Sequence, residues 1–400
     1  MTLVTSFTCV KCGAEAPAPE SAGVCPRCND PSAVLEINYD MDAAARSMTP
    51  DALAARPQNH WRYRELLPVE PGPTADAWPV GFTPILDTPR LARWTGVTRL
   101  RIKDDTRNPT ACFKDRASSV GVLHALSRNA DRVACASTGN AASSLAGFAA
   151  IAGIPATIFV PARAPEPKIA QLLVFGADVR RVRGTYEQAY ELCSARCRQH
   201  GWYNRNCAIN PYLVEGKKTA GLEIAEQTAR DLPGWVAVSV GDGCTAAGIA
   251  KGLIEMHALG FIDRVPRVLA VQAERVDPVA RAFETGTPGV APDADTFADS
   301  INVAVPRNWR KAVQRVRETN GAFVRVSDGE IAEAMRAAGS LAGVFAEPAA
   351  AASIAGIRRA VSAGIIEPGA DAVAVVTGSG LKDIASAINI CGKPTDTDPL

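Results

Sequence analysis

The sequence predicts an α/β protein with parallel sheets flanked by helices. Three observations carry this. From residue 98 onward, short apolar runs alternate with amphipathic, alanine-rich stretches, the pattern of strands joined by crossover helices. Some runs are almost continuously apolar, as in Val236-Ala237-Val238-Ser239-Val240, which suits strands buried on both faces. Three of them lead into loops of glycine, hydroxyl and amide residues, and ligands of such sheets sit at the carboxyl ends of strands.

The chain begins with two cysteine knuckles. Cys9-Val10-Lys11-Cys12 and Cys25-Pro26-Arg27-Cys28 are C-x2-C pairs that can set four thiolates tetrahedrally around one zinc ion. Gly13 and Asn29 follow them and suit tight turns. Four cysteines close the coordination sphere, so the metal would be structural. A pair of redox-active dithiols is the competing reading. Residues 37–85 carry less information. Asn59-His60-Trp61-Arg62-Tyr63-Arg64 mixes aromatics with cations, as a docking arm would. Pro68-Val69-Glu70-Pro71-Gly72-Pro73 reads as a connector, and a globular pattern resumes near Thr83-Pro84-Ile85-Leu86.

The alternating part follows. Residues 98–103 have the period of a strand. Asn108-Pro109 turns the chain, and a helix is expected over 118–126. Residues 133–136 form the next strand, and an alanine-rich helix runs to Ala152, where Gly153 and Pro155 stop it. Then come strand 156–160, helix 169–175, strand 179–182 and helix 186–198. Within that helix Cys193 and Cys197 lie on one face as packing thiols. Residues 236–240, 267–271 and 372–376 are further strands.

Composition excludes several roles. The net charge of +1 on 400 residues, with no long run of one sign, argues against a nucleic-acid or anionic-membrane surface. No apolar stretch reaches membrane-spanning length. The first residues, Met1-Thr2-Leu3-Val4-Thr5-Ser6, lack a basic region and a long apolar core. Eleven cysteines, an odd number, suit a reducing compartment better than a disulfide framework. The expected location is the cytoplasm.

Four stretches carry chemistry. Lys114 lies in Asn108-Pro109-Thr110-Ala111-Cys112-Phe113-Lys114-Asp115-Arg116. A loop delivers it to a helix start, Phe113 can desolvate its stem, and Asp115 is expected to pair with Arg116 and hold the turn. Such a lysine can hold pyridoxal phosphate (PLP) as a Schiff base; an ordinary solvated helix start would look similar. Ser137-Thr138-Gly139-Asn140 offers backbone N–H groups at a helix N-terminus, suited to an amino-acid carboxylate or to simple capping. Gly241-Asp242-Gly243-Cys244-Thr245 suits a phosphate, with a loose dinucleotide fingerprint as the competitor. Thr377-Gly378-Ser379-Gly380-Leu381-Lys382-Asp383 places a neutral hydroxyl where it could meet a heterocyclic nitrogen, or is a glycine turn.

Together these blocks resemble the threonine synthase group of PLP enzymes, of the tryptophan-synthase-β-like fold (fold type II), in its zinc-ribbon-containing branch. The likeness runs from the ribbon to about residue 390, and includes Ile209-Asn210-Pro211-Tyr212, Glu215-Gly216-Lys217-Lys218-Thr219 and Ala346-Glu347-Pro348-Ala349. The resemblance implies a two-domain PLP fold. A zinc ribbon (1–36) and an extension (37–85) would precede a large PLP-binding domain (86–117 and 206–400) interrupted by a small α/β domain (118–205). Lys114 would be the Schiff-base lysine and the general base. Asn140 would bond the cofactor's phenolic oxygen, Gly241, Asp242, Gly243, Cys244 and Thr245 would hold its phosphate, and Thr377 would face its pyridine nitrogen. Ser137, Thr138 and Asn210 would bind a small amino-acid substrate, and Cys9, Cys12, Cys25 and Cys28 a structural zinc. The implied reaction turns O-phospho-L-homoserine and water into L-threonine and phosphate, in a family whose members are often homodimers.

This sequence departs from the family pattern in places. Ala111-Cys112 stands for Gly-Ser, Ser379 for histidine, and Asp242 puts a carboxylate inside the phosphate loop. Thr185 and Glu191 stand where the family has an asparagine and an arginine that help bind the substrate's phosphate. Exchanging a cation for an anion disfavours a dianionic leaving group. The alternative is therefore β-replacement or elimination on O-phosphoserine, O-phosphothreonine or another activated amino acid, as in a cysteate-synthase-like pathway.

Overall fold

The alternation that begins near residue 98 folds into two parallel sheets. The computed structural model describes residues 2–397 apart from 29, 73, 74, 76, 77, 163, 165, 290–294 and 393; Asn29 and Pro73 of the turn and connector readings therefore lie outside the described residues. The larger sheet has the spatial order Ala322–Val326, Arg267–Ala273, Trp235–Ser239, Asp371–Val376, Arg99–Asp104, Ile85–Asp87. Its neighbours are parallel except for the short edge strand Ile85–Asp87, which runs antiparallel. The smaller sheet, fully parallel, has the order Asp178–Val182, Ala156–Pro161, Val133–Ala136, Tyr203–Asn204. The N-terminal ribbon is a third, antiparallel sheet of Glu15–Ala16, Val4–Cys9 and Leu35–Tyr39. Among the described residues no helix is long and apolar enough to cross a membrane.

Strand composition explains the layering. Trp235–Ser239 and Val133–Ala136 are buried at every position, as strands covered on both sides must be. Alternate residues of the large sheet feed two cores. Val236, Val238, Val373 and Val375 enter one. Trp235, Ala237, Ala372 and Ala374 enter the other, where helix Pro348–Ser362 packs across four strands. Cys193 and Cys197 are buried with Ala134, Ala136 and Phe159 behind the small sheet.

Three helices meet with almost no side chain between them. Pro211–Thr228 lies against both Lys114–Ser127 and Cys244–Ala258. A Cβ at Gly216 would fall within the radius of the Arg116 carbonyl oxygen, one at Gly221 would strike the Ile249 carbonyl, and one at Gly252 the Lys218 carbonyl. Glycine is required at these crossings because backbone meets backbone.

The strand read over 98–103 stands at Arg99–Asp104 and keeps no wet face, being buried from its second residue onward. Helix Pro211–Thr228 covers the polar face, and Lys103 donates to Thr83 O (2.7 Å), Gln227 Oε1 (2.8 Å) and Glu223 (2.7 Å). Against expectation, Asp115 and Arg116 do not pair with each other. Asp115 accepts from Thr110 N (2.6 Å) and Thr110 Oγ1 (2.5 Å). Arg116 is fully buried between Asp105 (2.7 Å) and Glu223 (2.5 Å). Successive helix residues point in different directions, so each finds its own partner.

Glu223 serves two fully buried cations, Lys103 and Arg116, which hold its carboxyl, despite burial, far below the usual carboxylate range. Glu223→Gln leaves both short of an anion in a dry site and is expected to cost about 3–5 kcal/mol, measured by urea unfolding. A loss below about 1 kcal/mol would contradict this account of the core.

Candidate active site

Strand Arg99–Asp104 ends in the 3-10 turn Asp105–Arg107, and a loop then delivers Lys114 as the first residue of helix Lys114–Ser127. The loop is held from several sides. Phe113 N donates to Thr377 O (2.8 Å), Ser379 N donates to Ala111 O (3.1 Å), and Thr110 is tied to Asp115. Phe113 and Cys112 are fully buried, so the lysine stem leaves a rigid, apolar base. Lys114 itself is half-buried because its end opens into a cavity. Desolvation lowers its pKa, and the nearby Lys217 ammonium lowers it further, so the amine is readied to accept a proton.

That cavity holds about 870 Å³ and is lined by Lys114, Ser137, Thr138, Asn140, the 241–245 loop and Thr377. The strand-end loops thus converge from both parallel sheets. Gly139 is the N-cap of helix Asn140–Ala152, and its N–H donates to Ser137 Oγ (3.2 Å). Asn140 Nδ2 donates to both Glu347 oxygens (2.8 and 3.0 Å). Burial raises the Glu347 carboxyl above its ordinary range, more than the Asn140 amide and the Lys114 charge lower it. Gly243, the N-cap of helix Cys244–Ala258, has φ +97°, and a Cβ there would press against Ala312. Glycine therefore lets this turn expose N–H groups at a helix N-terminus, where an anion is favoured. Asp242 turns its Oδ1 to the Arg307 backbone N–H (3.2 Å), which answers how a carboxylate fits in this loop.

One expected residue stands elsewhere. Asn210 is fully buried, donates to Tyr203 Oη (3.1 Å) and Asn204 O (3.0 Å), and caps helix Pro211–Thr228 through Tyr212 N (3.2 Å). It does not line the cavity. Thr185 does, while its hydroxyl caps helix Tyr186–His200; Glu191 is exposed and is not part of the lining. Sequence reading missed Tyr186, Tyr190, Arg205, Lys217, Asp299 and Arg307, all of which line the cavity. Lys217 and Glu347 stood in recognisable blocks, whereas Arg307 carried no motif. Ser379, in place of histidine, caps the following turn through Leu381 N (3.3 Å).

The four N-terminal cysteine sulfurs lie within 4.8 Å of one another. Cys9 to Cys28 is 3.8 Å and Cys12 to Cys25 is 3.9 Å. A tetrahedral Zn–S site has sulfur–sulfur edges of about 3.8 Å, so the donor set fits a closed metal site. The ribbon docks through Glu36, which meets Lys251 (2.9 Å) and Arg315 (3.0 Å), and through Pro19 O, which accepts from Tyr212 Oη (2.9 Å).

The family described as "Pyridoxal-phosphate dependent enzyme" matches residues 79–378. The chain belongs to this family. A threonine synthase of Methanosarcina acetivorans is 37% identical over 98% of this chain and 95% of that protein. The Methanocaldococcus jannaschii threonine synthase is 33% identical over 96% and 95%, and that of Mycobacterium tuberculosis 35% identical over 84% and 92%. The diaminopropionate ammonia lyase structure from Escherichia coli shares the fold at a TM-score of 0.68 with 16% identity, covering 98% of both chains. A threonine deaminase structure from Solanum lycopersicum gives a TM-score of 0.68 with 22% identity, over 77% of this chain and 87% of that one. Both are PLP fold type II neighbours. The residues present fit the family's cofactor: a lysine with a lowered pKa, and a glycine turn at a helix N-terminus on the same cavity.

Ala111 has φ +58°, a backbone region that glycine enters without strain and other L-residues do not. The family-pattern glycine is thus absent at the position that calls for it. Ala111→Gly is expected to stabilise the protein by about 0.5–1 kcal/mol, after the entropy gained by the unfolded chain is subtracted. Thermal or urea unfolding checks this; destabilisation would refute it.

Proposed function

We propose that the protein converts O-phospho-L-homoserine and water into L-threonine and phosphate, as a PLP-dependent carbon–oxygen lyase. The observation that carries this reading is the threonine synthase likeness over nearly the whole chain, with Lys114 and the glycine turn on one cavity. When bound, the cofactor supplies an electron sink for negative charge on substrate carbon.

The chain's own residues do the rest. Lys114 Nζ takes the proton from the substrate α-carbon, a role its lowered pKa suits. Ser137, Thr138 and the N–H groups at the start of helix Asn140–Ala152 hold the substrate carboxylate. The Asn140 amide, which donates to Glu347, would serve the cofactor's phenolic oxygen, and Thr377 its ring nitrogen. The loop from Gly241 to Thr245, with Asp242 turned aside, receives the cofactor phosphate. Asn210 acts as a helix cap that fixes the wall and does not touch substrate. The substitution at position 191 removes a cation without placing an anion in the cavity, because Glu191 does not line it. That weakens the case for β-replacement on another activated amino acid.

Incubation with O-phospho-L-homoserine should yield threonine by mass and release phosphate. Lys114→Ala should abolish the yellow absorbance of the lysine-bound cofactor and cut turnover by at least about 10²–10⁴-fold. Phosphate release without threonine would reject threonine synthesis in favour of elimination, absence of both would reject the substrate, and a colourless wild-type protein supplied with PLP would reject the reading itself.

Cys9, Cys12, Cys25 and Cys28 are proposed to hold one structural zinc. Elemental analysis should find about one zinc per chain. Cys25→Ser should remove it and lower the melting temperature, because metal binding is part of the ribbon's folding energy. A metal-free wild-type protein with unchanged stability would reject this.

A further inference from the structure

The chain neutralises its buried cations with care. Lys218 meets Glu215 at 2.6 Å, Lys251 meets Glu215 at 2.7 Å and Arg116 meets Glu223 at 2.5 Å. Inside the active-site cavity Lys168 meets Asp299 at 2.6 Å and Arg307 meets Glu187 at 2.5 Å. Besides Lys114, whose amine burial makes less basic, two cavity cations break this rule. Arg205 is 1% exposed and Lys217 3% exposed, yet among the described residues neither has a carboxylate in ion-pair range. Arg205 donates only to the neutral Ser118 hydroxyl (2.9 and 3.3 Å). Lys217 faces the thiols of Cys207 and Cys244, with Arg205 close enough to repel it.

Local groups do not resolve the imbalance. Cys207, hydrogen-bonded to Cys244 and facing the charges of Lys217 and Arg205, is held well below the ordinary thiol range and supplies one negative charge, so one positive charge of the pair stays uncompensated. Asp242 shares this wall, but its Oδ1 is occupied by the Arg307 N–H, and burial raises its pKa. Leaving a buried positive charge without a carboxylate is costly, and a phosphate-class ligand beside the pair removes that cost, with the Cys207 thiol free to take its proton back. Both residues line the cavity that also contains the 241–245 turn.

We propose that Arg205 and Lys217 form a buried site for a phosphate-class dianion on the wall of the active-site cavity. Within the proposed function this dianion has two sources, the phosphate of the cofactor and the phosphate carried by the substrate. Lys217 supplies an ammonium that reaches the ligand directly. Arg205, fixed by Ser118, adds a second charge from the floor of the small sheet.

Two titrations separate the sources. In the first, apo-protein is titrated with PLP and with pyridoxal, which lacks the phosphate, and binding is followed by absorbance. In the second, holoenzyme is titrated with inorganic phosphate and the cofactor absorbance is read. Lys217→Gln should weaken PLP, but not pyridoxal, by about tenfold or more if the cofactor phosphate is the ligand. It should weaken inorganic phosphate by about as much if the substrate's phosphate is the ligand. Lys217→Arg should recover most of either loss. A variant that keeps its melting temperature and leaves both titrations within about twofold of wild type overturns the proposal. So does an equal loss of PLP and pyridoxal with inorganic phosphate binding unchanged. Wild-type apo-protein offers a check that needs no variant: phosphate at constant ionic strength should raise its melting temperature over chloride, and no rise counts against the site. Threonine formation is measured separately, so failure of the dianion site and failure of the proposed reaction give different results.

Discussion

The buried guanidinium of Arg116 is the point on which the geometry of this molecule turns. It stands two places after Lys114 and is gripped by Asp105 on the strand side and Glu223 on the helix side. A cation in a dry site, held by carboxylates on two edges of its guanidinium, has little freedom to move. The first turn of helix Lys114–Ser127 is thereby locked to the strand it leaves and to the helix it crosses. Lys103 shares Glu223, so the large sheet joins the same knot. Lys114 inherits a fixed origin from neighbours that never touch substrate.

Charge is also distributed unevenly between the two sides of the cavity. Lys114 loses proton affinity through burial first and through Lys217 second, so its amine responds to a charge carried by another helix that lines the same cavity. Glu347, held by Asn140, puts a carboxyl whose ionisation is disfavoured by burial on the other flank. Lys114, Asn140 and Lys217 come from helices that follow strands of two different sheets. The site therefore exists only where those sheets meet.

Much of this was legible in the sequence. Continuous apolar runs marked the buried strands, and the glycine and hydroxyl loops after them marked the ends that converge. The four cysteines announced their own cluster. What escaped reading was long-range pairing. The partner of Arg116 is 107 residues away, and nothing local distinguishes Glu223 from a surface glutamate. Helices Asp328–Ala342 and Pro348–Ser362 went unread because alanine packs without printing a strong period. Asn210 was misplaced because a helix cap and a ligand donor use the same amide, and only the surrounding acceptors tell them apart. Arg307 entered the cavity from a loop with no signature at all.

The glycine crossings of helix Pro211–Thr228 have one last implication. Where carbonyl oxygen and α-carbon are already in touch, no side chain is small enough to be tried. Elsewhere in the interior, natural variation can proceed by one methyl at a time, with neighbours yielding gradually. At Gly216, Gly221 and Gly252 even alanine is a wedge, so these three sites offer drift no gentle slope, and the spacing of the helices around the lysine is passed on whole or lost.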